Sequence, residues 1–228
     1  PDDAIDDGDW IMAGFPQLQM QLKLMQTGVN TYEIDTIEDL QMMAVDLDGD
    51  YSLIDNVDAT ETHFWNPGVS FNAGFASLGN DERAFTGSFD GQGYAVDSLY
   101  INQGGVDNVG LLGVTRNAII SNLGLTNALV VGGENVGRLV GLATEDLSAN
   151  NLFVTGDVIG VNNVGGLIGL ISGDTTLSNS YSEGSVEGVN NVGGLVGQVN
   201  ANADIDEVYS TSRTWGSDNM GGLSGFVN

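Results

Sequence analysis

A glycine that closes a short apolar motif returns every 28 residues, at Gly113, Gly141, Gly169, Gly197 and Gly225. The surrounding text repeats with it: Asn108-Val-Gly-Leu-Leu-Gly113, Asn135-Val-Gly-Arg-Leu-Val-Gly141, Asn163-Val-Gly-Gly-Leu-Ile-Gly169, Asn191-Val-Gly-Gly-Leu-Val-Gly197 and Asn219-Met-Gly-Gly-Leu-Ser-Gly225. A second ladder, Gly132, Gly160, Gly188 and Gly216, keeps the same step. Seven residues before each of these glycines stand Leu125, Phe153, Tyr181 and Tyr209, and two before stand Val130, Val158, Val186 and Thr214. A unit of this length cannot bury its own apolar face, so neighbours must stack and share one continuous core.

Within each unit the apolar residues fall in short runs between glycine or asparagine breaks, too brief and too glycine-rich for helices. Short parallel strands follow, with coils rising by the strand spacing of about 4.8 Å, so that five units make a rod of about 24 Å. The expected fold is all-β: a parallel, right-handed β-helix of 28-residue coils with a short N-terminal helix and a strand extension. The asparagines at 108, 135, 163, 191 and 219 are expected at turns, where their side chains tolerate left-handed backbone, and stacked one above another they can hydrogen-bond along the rod.

Three segments are expected. Residues 1–31 form an acidic N-terminal segment and an amphipathic strand, in which Leu18, Met20, Leu22 and Leu24 alternate with polar residues. Residues 32–94 form an N-terminal cap and the first irregular coils. There Asp35 or Thr36 can cap a short helix whose first turn holds Glu38 and Asp39, and Tyr51–Val57 alternates as a strand does. Residues 95–228 form the regular coils.

With 34 glycines but only 3 prolines the chain is not collagen-like. Five basic residues against 31 acidic ones, a formal net charge of -26, exclude nucleic acid as a partner, because phosphate binding needs clustered Lys and Arg. The same charge disfavours anionic membrane surfaces and suits a salty or calcium-rich exterior, where counterions screen self-repulsion. There is no cysteine, and no apolar stretch of the roughly 18 residues that a membrane span needs. Because the chain opens on Pro1-Asp2-Asp3, it reads as a mature form or an excised piece.

The Gly166-Leu-Ile-Gly169 and Gly194-Leu-Val-Gly197 motifs resemble the GLUG repeat, and Asn179-Ser-Tyr-Ser-Glu-Gly184 is similar to the companion segment of that family. The lead-in, with Tyr51-Ser-Leu, Trp65-Asn-Pro-Gly68 and Phe85-Thr-Gly-Ser-Phe-Asp-Gly-Gln-Gly93, is similar to the N-terminal part of such proteins. The resemblance covers residues 32–228. It implies a β-helix that serves as a scaffold in bacterial surface and secreted proteins, including hemagglutinin-like adhesins and a non-catalytic part of some immunoglobulin-cleaving metalloproteases, and it carries over no catalytic residue. Arg138, in place of the first motif glycine, and a first unit one residue short are departures expected to alter surface chemistry without disturbing the fold.

Candidate chemistry is sparse. Asp46, Asp48 and Asp50 alternate as calcium ligands do, but Tyr51 stands where the calcium loop needs glycine and Val57 where it needs a bidentate acid, so the competing reading is a solvated acidic turn. His63, the single histidine, reads as structural, and no serine sits in a nucleophile-elbow pattern. Paired carboxylates on adjacent coils can act in glycan cleavage, but among 31 acids such pairs arise by chance. No catalytic residue and no cofactor beyond calcium is assigned.

The last motif is followed only by Phe226-Val-Asn228, without a polar capping unit. Leu223 and Phe226 are therefore expected to join the 18–24 strand in assembly, either head to tail as a fibre or within a longer adhesin stalk; the competing reading of that strand is that it covers the side or end of its own solenoid. The function expected is that of a secreted or cell-surface structural or adhesive protein of a microbe, not an enzyme; a glycan or surface ligand stays unnamed. The alternative is a non-catalytic or glycan-active part of a larger secreted polysaccharide-processing enzyme.

Overall fold

The computed structural model describes residues 25–28, 30–68 and 72–228. The strand expected to carry Leu18, Met20, Leu22 and Leu24 lies outside the described residues. The chain is a parallel β-solenoid of five coils with three walls. One wall stacks Leu112–Thr115, Val140–Ala143, Ile168–Ile171, Val196–Val199 and Ser224–Val227. A second stacks Glu134–Gly137, Asn162–Gly165, Asn190–Gly193 and Asp218–Gly221. The third is one large bent sheet built on Ala118–Val131 and Leu147–Ile159.

Alternation sets what each wall buries. Val136, Val164 and Val192, like Leu139, Leu167 and Leu195, are at most 1% exposed and run in columns through a single core. The closing glycine of each motif is required by the coil below it. A Cβ on Gly141 would lie 2.5 Å from the backbone carbon of Asn108, and Gly169, Gly197 and Gly225 press in the same way on Asn135, Asn163 and Asn191. Each of these asparagines is left-handed, with φ between 52° and 59° from Asn108 to Asn219. The glycine ladder and the asparagine ladder are thus two sides of one backbone contact, repeated up the rod.

Pairing keeps a step of 28 from the second coil onward: Asn162 to Asn190, Ile168 to Val196, Phe153 to Tyr181. Between the first and second coils the step drifts. Val109 bridges Val136, Leu112 pairs with Val140, Leu125 with Val154 and Ala128 with Gly156, with a bulge between Val154 and Gly156. Phe153 consequently lies over Gly124, and Leu125 turns into the core instead of heading the aromatic column as its spacing in the sequence implies.

At the N-terminal end, Thr31–Ile34 and Asp50–Leu53 pair in the large sheet, and helix α1, Ile37–Met42, joins them. Thr36 caps α1 by accepting from the Asp39 amide at 3.1 Å, as the acids in the first turn foretold. Its Ile37 and Leu40, with Met43 of the following 3-10 turn, are buried and close that end of the core. Gln41 fixes the helix by donating to Ala76 O at 3.0 Å and accepting from Ala76 N at 2.9 Å. The strand expected over Tyr51–Val57 is two strands, Asp50–Leu53 and Val57–Asp58, because the Asp55-Asn56 turn between them breaks the extended run. Met25–Gly28 adds an antiparallel strand to Thr31–Ile34.

Candidate interaction surfaces of the solenoid

Arg138 departs most sharply from expectation. It is fully buried, not a feature of the surface. Because Arg138 stands where later coils have Gly166, Gly194 and Gly222, its side chain enters the space that those glycines leave to the backbone. Its Nη1 donates to Gly166 O and to Ser182 Oγ, both at 3.0 Å, and its Nη2 donates to Ser185 O at 2.8 Å and to Gly156 O. Nε has no partner. Burial pulls the guanidinium down to about 10, with the charge of Asp157 acting the other way, so it stays protonated at neutral pH. A cation held by carbonyls and a hydroxyl ties two coils and two walls together. The clue available in sequence was Ser182, a polar residue in register with Val154 at a core position.

The exterior carries side-chain ladders. Asn135, Asn163, Asn191 and Asn219 each donate Nδ2 to the Oδ1 of the asparagine one coil below, at 2.7 to 2.8 Å. Asn108, at the foot, donates to the Asp81 carboxylate at 3.2 Å. A second column runs from Asn190 to Asn162 at 2.7 Å and ends on Glu134 at 3.0 Å. A third runs from Asn151 to Asn122 and ends on Asp90, both at 2.9 Å. Each amide column points its donors toward the N-terminal end and finishes there on a carboxylate. Asn117 to Glu145 and Asn150 to Ser178 run the opposite way.

Beside the ladders stand stacked rings. Phe153 and Tyr181 have centroids 5.8 Å apart, and Tyr181 and Tyr209 have centroids 4.9 Å apart at 6°. Phe153 rests on Gly124 and each ring covers the next, so ring edges, not faces, meet solvent. The column stiffens the wall and offers no flat platform for a sugar below Tyr209.

The three calcium candidates do not converge. Asp46 accepts from Tyr32 OH at 2.8 Å, while Asp50 turns to the neighbouring strand and accepts from Ser88 Oγ at 2.5 Å. Burial raises Asp46, but hydrogen bonds with Asp48 and Tyr32 more than offset this and hold its carboxyl below the usual range; Asp48 is raised by sharing that bond with Asp46. Among the described residues no group of three His, Cys, Asp or Glu is arranged to hold a metal ion. His63 stacks on Tyr100 with ring centroids 4.1 Å apart.

Leu223 and Phe226 both belong to the last described coil. Leu223 is 43% exposed where Leu195 below it is buried, and Met220, Phe226 and Val227 are likewise open. Among the described residues no helix is long and apolar enough to cross a membrane.

No protein-family description matches the chain. It is 37% identical over 136 residues to halomucin of Haloquadratum walsbyi; the match covers 57% of this chain and spans 2% of halomucin's length. In structure it is similar to a candidate immunoglobulin A1 protease from Bacteroides ovatus, with a TM-score of 0.70 at 19% identity, over 87% of this chain and 62% of that one. The second likeness carries the fold alone.

Proposed function

We propose that the chain is a coil stack of an extracellular surface protein, of the GLUG-repeat kind, in which it acts as a structural spacer. The observation that carries this reading is the constant step of 28, which stacks coil on coil around one continuous core and brings together no catalytic or metal-binding group among the described residues. The likeness to halomucin, of which this stretch matches a small part, supports a surface location within a long protein. The acid excess agrees with a saline exterior, where charge keeps such a rod dispersed.

Antibodies raised against residues 95–228 test the location: labelling of intact source cells is expected, and labelling confined to lysed cells would overturn the reading. A second reading, a non-catalytic portion of a secreted enzyme, is favoured by the fold likeness to the Bacteroides protein. The mass of the native polypeptide and the content of its remaining domains separate the two.

A further inference from the structure

Where the third wall turns into the second, the outside of the rod is apolar. Gly160 and Gly188 face inward there: a Cβ on Gly160 would lie 2.8 Å from Val136 and from Val164, and one on Gly188 would meet Val164 and Val192 in the same way. The residues on either side of these glycines therefore face out. Val131 and Ile159, paired strand to strand, form one outward file. Val161 and Val189 form a second, joined by the bond from Val189 N to Val161 O at 2.7 Å. Val106 continues this second file two coils below Val161, through Gly133, whose N donates to Val106 O and whose O accepts from Val161 N. Val106, Ile159, Val161 and Val189 are 50%, 36%, 45% and 43% exposed. The other half of the large sheet has a polar exterior, with Ser121, Asn150 and Ser178 in one file and Ser148 and Thr176 above Ile119 in the next. An apolar line that follows the axis of an otherwise polar rod marks a contact surface.

Carboxylates border this line without cations to answer them. Asp107 and Glu134 stand exposed beside Val106 and Gly133, and Glu187 stands exposed above Ile159. Glu134 accepts from Asn162 Nδ2 and Asp107 from the Glu134 amide, both neutral donors. Among the described residues the one salt bridge is Arg116 to Glu145, away from this line. A second copy laid against it would set these acids against its own, whereas a basic partner neutralises them. Spacing narrows the partner further. The valines stand on coils that rise by about 4.8 Å, close to the pitch of about 5.4 Å at which an α-helix presents the same face again; alternate residues of an extended strand recur only at about 6.8 Å. Over the three steps from Val106 to Val189 a helix drifts out of register by about 2 Å, and a strand by about 6 Å.

We infer that this line docks a cationic amphipathic α-helix of another protein, laid along the rod axis. The helix sets its apolar face on Ile159, Val161 and Val189 and extends Lys or Arg side chains on either side to Glu134 and Glu187. Such a contact goes beyond the spacer role and holds wherever these coils lie in a longer protein. Charge and shape divide the work: the acids draw a basic segment in, and the valines select one that presents a matching apolar stripe.

The test uses two labelled peptides of about 14 residues, or about four helical turns, built from leucine and lysine alone. One places its leucines on a single helix face; the other is a scramble of the same composition. Fluorescence anisotropy at about 0.15 M salt, where the screening length is about 8 Å, is expected to show the ordered peptide binding the full chain at least about tenfold more tightly than the scramble. In V161S/V189S, which removes two exposed side chains and should melt with the parent, the two peptides are expected to bind alike. Parity on the parent leaves charge alone and overturns the docking line; a preference that survives in V161S/V189S places the helix elsewhere and overturns it too. Sedimentation of the parent is expected to give a monomer, and a dimer that V161S/V189S abolishes hands the line to a second copy and overturns the choice of partner. So does an L18S/L22S chain that binds the ordered peptide about tenfold more tightly than the parent, since the line would then belong to a segment of this chain.

Discussion

The Nη1 of Arg138 donates to Ser182 Oγ at 3.0 Å, joining side chains 44 positions apart across the inside of the solenoid. Two hydrogen bonds to carbonyls of the next coil and one to Gly156 O act with it. Replacing Arg138 by glycine restores the residue found at 166, 194 and 222 yet leaves these acceptors buried without a donor. Bonds to a charged group contribute about 1.5–3 kcal/mol each, while relief from burying the charge offsets part of the loss. R138G is expected to destabilise by about 2–4 kcal/mol, read as a lower midpoint in chemical unfolding; a neutral or stabilising effect would show that the guanidinium does not hold the walls together.

Gly169 to alanine tests the contact behind the 28-residue period. The added Cβ would come within 2.5 Å of the Asn135 backbone, which cannot move without moving its own coil. An overpacking cost of about 1–3 kcal/mol is expected. At Gly104 the nearest atom to such a Cβ is Val131 Cγ1 at 4.0 Å, so G104A is the control and should leave thermal stability within about 0.5 kcal/mol of the parent.

Asn163 serves two needs, a left-handed turn and a rung of the amide ladder. Glycine keeps the turn and loses the rung; aspartate can still accept from Asn191 but has no N–H for Asn135 Oδ1. N163G is expected to cost about 1 kcal/mol and N163D more than that at pH 7, the difference narrowing as the new carboxyl is protonated. If denaturant titration ranks N163G as the worse of the two, the bond accepted from Asn191 outweighs the repulsion between the new carboxylate and Asn135 Oδ1.

Acid should weaken the fold through groups such as Asp97. The Thr126 hydroxyl, bonded to it at 2.5 Å, holds its carboxyl below the ordinary value, with help from Ser98 and Asn127 against the opposing effect of burial. A carboxyl whose folded pKa is depressed contributes stability that is present above the unfolded value near 3.8 and is lost as pH falls through the folded pKa. In D97N, stability should therefore depend less steeply on pH below about 4 than in the parent. Acid titration followed by circular dichroism gives the comparison.

Salt should act in the opposite direction. With 31 acids against 5 bases, self-repulsion opposes the compact rod, and raising sodium chloride from 0.1 M to 1 M shortens the screening length from about 10 Å to about 3 Å. The thermal midpoint is expected to rise by several degrees in calorimetry; a fall would place the dominant electrostatics in local hydrogen-bonded pairs.

The period, the capped helix and the asparagine ladder were legible in sequence, because each depends on local chemistry, whereas Ala118–Val131 and Leu147–Ile159 run on as long bent strands where only short ones were expected. Arg138 was not legible either. Read along the chain it is a lone charge replacing a glycine, and surface placement is the ordinary outcome for arginine; only the packing of Ser182 and Gly156 around it shows where it goes. Leu125 misled for a related reason. The interval of 28 aligns it with Phe153, but an extra residue between neighbouring walls moves Gly124 under the ring instead. Periodicity fixes the coil, while insertions between walls reassign individual side chains within it.

The step of 28 also sets how such a rod would give way when its ends are drawn apart. Parallel coils peel one at a time, and each coil released lengthens the chain by about 90 Å, its extended contour less the height it occupied in the stack. Force spectroscopy would then record evenly spaced ruptures up to the layer pinned by Arg138, which should yield at a higher load. On a cell surface, a body built this way would absorb a tug in small instalments instead of breaking loose.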